Sequence, residues 1–165
     1  MKEQTLVLIK PDGVQRGLAG RILQRFEDAG LKIVGMKFIH IDKEHAGKHY
    51  SDIAQRRGEK VFNANVNFLV EGPVLAFVLE GIQSIEIVRK IVGGTEPKTA
   101  LPGTIRGDFA HQSYEWCDAS NQVVRNLIHA SSSKEDAQRE INLWFKPKEL
   151  YSYTLVHEKH TIGKE

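Results

Sequence analysis

Cysteine is nearly absent from this chain of 165 residues. Its one thiol, Cys117, excludes an internal disulfide and fits a reducing compartment. Long apolar runs are missing too. None approaches a membrane span, and the start, MKEQTLVLIKPDG, has too short an apolar run for a signal peptide, so a cytoplasmic location is expected. Nor is there an excess of either charge. A net charge of +2 gives no support to a nucleic-acid binder, and any anion site must come from local placement of Lys and Arg. Neither a G-x-x-x-x-G-K-[ST] loop nor a G-x-G-x-x-G turn occurs, so phosphates, if bound, must be held largely by side chains.

The rest is ordinary globular composition. With 41% apolar and 27% charged residues, the chain can bury the core of one domain. Thr5–Ile9 is an apolar run stopped by Pro11-Asp12-Gly13, which predicts a buried strand and a turn. Leu18, Ile22, Phe26 and Ala29 fall at helical intervals, and Gly30 is a natural stop. Leu31–Ile41 reads as a strand. Asp42 can cap a helix through about Ile53, and a second helical piece near Val61–Val70 follows the polar break QRRGEK. Pro73–Leu79 is a third strand and Ile82–Val92 a helix ended by Gly93. Gly93 to Gln122 has no clear period, and a loop that long is usually functional. Val123–Ile128 reads as the fourth strand. Ser132 with Glu135, or less well Ser133 with Asp136, fits a capping box for a helix to about Phe145. This order predicts an α+β fold, the ferredoxin-like βαββαβ sandwich, with a four-stranded antiparallel sheet and helices on one face.

In RNLIHASSS an apolar stretch leads to His129 just ahead of a helix start. A histidine at a strand end is most often a satisfied core residue. Just past the strand it can instead face a pocket, and Glu140 on the next helix could reach back to one ring nitrogen. A carboxylate there fixes the tautomer and leaves the other nitrogen's lone pair free, as a nucleophile requires. Lys10 ends the first strand, Arg89 lies on the third helix and Arg106 in PGTIRGDF. Each is ordinarily a surface charge, and Lys10, beside a tight turn, is the best-placed exception; Arg can grip phosphate in a bidentate manner. Thr95, Thr104 and the glycines around them could add close contacts. His45 and His49, four apart, resemble a metal pair, but no carboxylate completes a ligand spacing, so an exposed helix face is expected. Trp116 and Cys117 offer no chemical role, and HEKH near the end reads as a solvated tail.

LIKPDGVQRGLAGRI, GGTEPKTALPGTIRGDF, RNLIHASSS and AQREINLWF together closely resemble the nucleoside diphosphate kinases, over about Glu3 to Leu150 and in the family's order. The resemblance implies the same ferredoxin-like fold, and reversible transfer of a γ-phosphoryl group from a nucleoside triphosphate to a nucleoside diphosphate through a phosphohistidine, in a ping-pong scheme. It makes His129 the phosphorylated residue, oriented by Glu140, with Ser131 a further hydrogen-bond partner and Tyr50 supporting the site. Lys10 and Asn126 would hold the ribose side, and Arg89, Thr95 and Arg106 the phosphate oxygens. Mg²⁺ would bridge phosphates, held mainly by those groups and water and not by protein side chains. A homohexamer is implied, with a tetramer as the alternative.

Some positions depart from the family pattern. Ala130 replaces the usual glycine, and Ser132 replaces an aspartate, a loss expected to alter how the metal's water shell is held. In the base clamp Val61 stands for a stacking phenylalanine and Asn65 for a leucine, so weaker stacking is expected, with the adjacent Phe62 as a substitute. An extra stretch near 110–122 would lengthen a loop or meet another subunit, and a tail over 146–165 follows the single domain. These changes motivate a competing expectation: a nucleotide-binding regulatory module of the same fold with weakened catalysis.

Overall fold

The computed structural model describes residues 2–163; Met1, Lys164 and Glu165, the ends of the expected domain and tail, lie outside the described residues. In chain order the elements are β1 (Lys2–Ile9), α1 (Pro11–Gln15), α2 (Ala19–Asp28), β2 (Lys32–Ile39), α3 (Lys43–His49), α4 (Ile53–Arg57) and α5 (Glu59–Leu69). After these come β3 (Val74–Ile82), α6 (Ser84–Val92), α7 (Ile105–Phe109), α8 (Tyr114–Ala119), β4 (Ile128–Ala130), α9 (Lys134–Trp144) and α10 (Glu158–Thr161). The sheet has the order β2-β3-β1-β4, and every neighbouring pair is antiparallel. This is the expected four-stranded α+β arrangement.

Period-two alternation explains the layers. Val7 and Ile9 of β1 point to a cluster with Ile22 and Phe26 of α2 and Val88 and Val92 of α6. These are the two crossover helices, and they share one face as predicted. The opposite face is not open, however. Leu6 and Leu8 meet Ala46 of α3, Val66 and Leu69 of α5, and Ile141 and Trp144 of α9. Helices therefore cover both faces. The physical reason is the unbroken run from Thr5 to Ile9, all 0% exposed, which leaves β1 no polar side to turn to water.

Three further local expectations change. Pro11-Asp12-Gly13 opens the short helix α1, with Pro11 at its first position, where a missing N–H costs nothing. The fourth strand starts at Ile128 rather than Val123, because Leu127 adopts a left-handed φ of 70° that breaks the ladder. Helix α9 is capped by Ser133, whose hydroxyl accepts from the Asp136 N–H at 3.1 Å. The tail packs against its own sheet: the Tyr151 N–H donates to the Val34 carbonyl at 2.7 Å, and the Tyr153 hydroxyl to that of Ile33 at 2.6 Å. Buried Lys32 pins the same region by pairing with Glu80 at 2.8 Å and Glu158 at 3.2 Å. Among the described residues no helix is long and apolar enough to cross a membrane.

Candidate active site

β1 and β4 bring the chemistry-bearing residues together. Leu8 pairs with His129 and Ile9 with Ile128, so the end of β1 delivers Lys10 beside the histidine strand. The turn at Leu127 sets where His129 points. A non-glycine residue at φ 70° costs about 1–2 kcal/mol, so the turn needs holding. The Asp12 carboxylate accepts from the Leu127 N–H at 3.0 Å, and the Lys10 N–H donates to the Leu127 carbonyl at 2.9 Å. Gly13 allows this approach, since a Cβ there would lie 2.7 Å from Ile9 Cγ2 and 3.0 Å from the Leu127 oxygen.

His129 Nε2 lies 3.0 Å from both carboxylate oxygens of Glu140. Glu140 itself is buried and accepts from the Ser131 hydroxyl at 2.6 Å, while Arg139 lies 3.6 Å from its other oxygen. A carboxylate surrounded by donors is an acceptor, so Nε2 carries the ring proton and Nδ1 keeps its lone pair. Ser131 thus acts on Glu140, behind the cavity wall. The histidine faces a cavity of about 950 Å³ whose lining also includes Lys10, Tyr50, Arg89, Thr95, Arg106, Asn126 and Glu140. Seven of the eight cavity residues anticipated from sequence are thereby gathered around the imidazole, and Ser131 sits one layer below.

The cationic side is held by the main chain. Arg106 donates from Nε to the Asn126 carbonyl at 3.1 Å, from one terminal nitrogen to Gly93 at 3.1 Å and from the other to Ile128 at 2.6 Å. Two of its five N–H groups remain for an anion. Gly93, at φ 86°, leaves room for Thr104, whose oxygen would lie 2.4 Å from an added Cβ. Lys10 donates to the Asn126 side-chain oxygen at 2.6 Å, and the Asn126 amide donates to the Thr95 carbonyl at 2.8 Å. Burial, with Arg106 nearby, lowers the Lys10 ammonium to about 8. Burial, with Arg89 nearby, lowers Arg106 to about 10. Each group is short of counter-charge, so each favours an incoming anion. Tyr50 is buried and its hydroxyl has no partner among the described residues; burial, with Glu140 nearby, pushes it up and keeps it a neutral donor.

The opposite wall differs from expectation. Phe62 does not line the cavity. It packs with the core cluster beneath α5, close over Gly47, because the helical turn sends Val61, Ala64 and Asn65 to the cavity instead. The Asn65 amide is spent on the Val61 carbonyl at 2.8 Å. The polar break contributes Arg56, Arg57 and Lys60 to the lining, which no motif signalled. The stretch near 110–122 is a wall and not an outward loop: Tyr114, Cys117, Asp118, Asn121 and Gln122 all face the cavity. Ser113 caps α8, and Glu96 accepts from the Tyr114 N–H at 2.8 Å, which ties the segment to the site. His49 is not on an exposed face either; it is 2% exposed, edge-on to His129.

His49, His129 and Glu140 each offer a donor atom within 4.8 Å of the others. The oxygens of Glu140 are already engaged by His129 and Ser131, and His49 Nδ1 by the Trp144 indole, so the three groups do not form a metal cage. Mg²⁺ prefers oxygen donors and keeps water, which these imidazoles do not suit. Ser132 donates its hydroxyl to Asp136, a cavity-lining carboxylate one turn later whose other oxygen pairs with Arg139 at 3.2 Å.

A family model described as nucleoside diphosphate kinase matches residues 3–150. The nucleoside diphosphate kinase of Pyrococcus horikoshii is 54% identical over 151 residues, 92% of this chain and 90% of that one. The nucleoside diphosphate kinase of Borreliella burgdorferi is 48% identical over 153 residues, 92% of each chain. A solved transition state mimic of the Borrelia burgdorferi enzyme with bound vanadate and ADP superposes with a TM-score of 0.96, at 45% identity, over 99% of this chain and 98% of that one. The Halobacterium salinarum nucleoside diphosphate kinase in complex with CDP gives a TM-score of 0.83 at 39% identity, covering 96% and 97% of the two chains.

Proposed function

The chain belongs to the nucleoside diphosphate kinase family, enzymes that move a terminal phosphoryl group from a nucleoside triphosphate to a nucleoside diphosphate, and from that premise we propose that His129 carries the group as a covalent phosphohistidine. The observation that carries this reading is the double contact of Glu140 with Nε2 at 3.0 Å, which leaves Nδ1 as the nucleophile. The Nδ1 lone pair attacks the γ-phosphorus as the bond to the β–γ bridging oxygen breaks, and the diphosphate leaves with that electron pair. A terminal oxygen of the second diphosphate then attacks phosphorus, the N–P bond breaks and the imidazole recovers its lone pair. The proton on Nε2 stays there throughout, hydrogen-bonded to Glu140.

The two steps are nearly isoenergetic, because a phosphorylated imidazole is itself a high-energy species and not a trap. A cavity of about 950 Å³ suits one small ligand at a time, which favours two visits to one site over a ternary complex. In transit the phosphoryl oxygens carry spread negative charge. Lys10, Arg89 and Arg106 stabilise it electrostatically, with Thr95 and the Tyr50 hydroxyl as neutral donors. Asn126 orders Lys10 toward the nucleotide. Mg²⁺, when bound, would neutralise phosphate charge, and Asp136 is a cavity carboxylate that could hold water of its shell. The intact dyad gives the weakened regulatory module no support.

The edge strand β2 exposes Met36, Phe38 and Ile39, Phe38 at 63%. The exposed apolar side chains of this strand form a patch suited to association, which supports a homo-oligomer, a hexamer or alternatively a tetramer. The lone buried cysteine supports a cytoplasmic location. Incubation with γ-labelled ATP should yield acid-labile, base-stable phosphate on the protein, released by an added diphosphate. A His129→Ala variant that keeps the label and the turnover would falsify the assignment, and a monomeric mass in a sizing experiment would reject the oligomer.

A further inference from the structure

The phosphoryl-transfer reading leaves one buried imidazole without a part. His49 ends α3 and is 2% exposed. Its ring stands edge-on to His129, centroids 4.4 Å apart at 82°, and one of its nitrogens lies within 4.8 Å of a donor atom on both His129 and Glu140. Its Nδ1 is 3.2 Å from the indole nitrogen of Trp144. An indole nitrogen only donates, so Nδ1 must present its lone pair and the neutral ring carries its proton on Nε2. That Nε2 is buried with no hydrogen-bond partner among the described residues.

We propose that His49 is a positioning residue for the phosphoryl carrier: the Trp144 indole locks it as a neutral ring, and that neutrality leaves Glu140 to His129 alone. The inference rests on the His129 reading and extends it. The groups facing His49 are His129 on β4, Arg139 and Glu140 on α9, Lys10 just past β1, and His45 and Tyr50 on its own segment. Burial and the cations among them hold the ring well below the ordinary imidazole range. A proton gained at Nδ1 would expel the indole and place an imidazolium beside Glu140. The two rings would then compete for one carboxylate, and His129 would lose the contact that aims Nδ1. Trp144 and Glu140 lie four residues apart on one face of α9, so a single helix presents both the lock and the group it protects.

Replacing Trp144 by Phe keeps a ring in the core and removes the donor. The acid limb of the kcat profile should move to higher pH by about one unit, with KM at pH 8 changed less than about twofold. The double variant W144F/H49Q, whose carboxamide cannot titrate, should return the limb to its wild-type position. A purely packing role predicts instead a uniform rate loss at all pH values, and that outcome, or a limb still displaced in the double variant, overturns the proposal. If the Phe variant does not fold, ¹⁵N chemical shifts of His49 in the unmodified protein decide the matter. A neutral ring with Nε2–H at pH 6 supports the lock; an Nδ1–H tautomer or a charged ring refutes it. The ¹⁵N readout of the tautomer does not depend on phosphoryl transfer, whereas labelling of His129→Ala does, so failure of one reading is distinguishable from failure of the other.

Discussion

Lys10, Arg106 and Asn126 at the buried end of the cavity are each fixed by the main chain or by one another, whereas Arg56, Arg57 and Lys60 on the facing wall are exposed side chains of the short helix α4 and the first turn of α5. Both ends are cationic, yet the donors of the buried end are held by buried partners before a ligand arrives, while on the wall Arg56 is paired only with the exposed Asp52. Fixed donors cost no reorganisation when charge develops in transit, while flexible exposed cations raise the local concentration of anions and little else. On the proposed mechanism the contrast gives chemistry to the buried end and capture to the wall. It also explains why the family's stacking ring can be missing at Val61 while the residues around His129 are intact.

The sharpest way to break this contrast is Arg106→Ala. The change removes a cation and abandons the Asn126, Gly93 and Ile128 carbonyls, so kcat/KM should fall by about 10²–10³. A urea melt should show a loss of roughly 3 kcal/mol, and Arg106→Lys should restore little, because an ammonium cannot span three carbonyls. Next in size is Asp12→Ala, which strands the Leu127 N–H and releases the left-handed turn. About 1–3 kcal/mol of stability should be lost, with kcat reduced more than KM because the aim of His129 is what suffers.

A pH titration gives a third, smaller effect. With Lys10 lowered to about 8, its charge disappears as pH rises past that value in the free enzyme, and kcat/KM should bend downward there. Stability from this group moves the opposite way. Between about 8 and the unfolded value of 10.5 the unfolded chain binds more protons, so the penalty of burying the ammonium fades as pH rises. A profile of kcat/KM that stays flat to pH 10 would contradict the buried, charge-poor end. The smallest effects belong to the wall. Val61→Phe should lower KM by about two- to tenfold, the magnitude of one aromatic contact. Arg57→Ala should change it by less than about threefold at moderate salt. A large loss of kcat in the second variant would erase the distinction between the two ends.

Much of the fold was legible because hydrophobic period is a local property. β1, α2, β3 and α6 follow from apolar spacing and glycine stops. The covering of both sheet faces was legible as well, in the unbroken run Thr5–Ile9, but only when that run is read as two buried faces and not one. What escaped were features in which one segment answers another. The strand expected at Val123–Ile128 shrinks to three residues because Leu127 is pulled into a left-handed turn by Asp12, 115 positions away in sequence. Phe62 looked like a clamp ring by adjacency, yet one position along a helix is a rotation of about 100°, enough to carry it from cavity to core. The loop with no period, Gly93–Gln122, hid a helix that walls the site, since six residues are too few to show a repeat.

By itself the amino-acid order supplied the candidates: RNLIHASSS and PGTIRGDF offered an imidazole and cationic side chains, and only their likeness to the nucleoside diphosphate kinases preferred a nucleophile over a packed core histidine. Only the tertiary structure decided which ring nitrogen is left free, which cations are fixed and which merely exposed, and that His49 is buried against the nucleophile instead of facing water. Residue identity is written one position at a time, but protonation and aim depend on burial and on partners brought from distant segments, and those exist only once the sheet has closed.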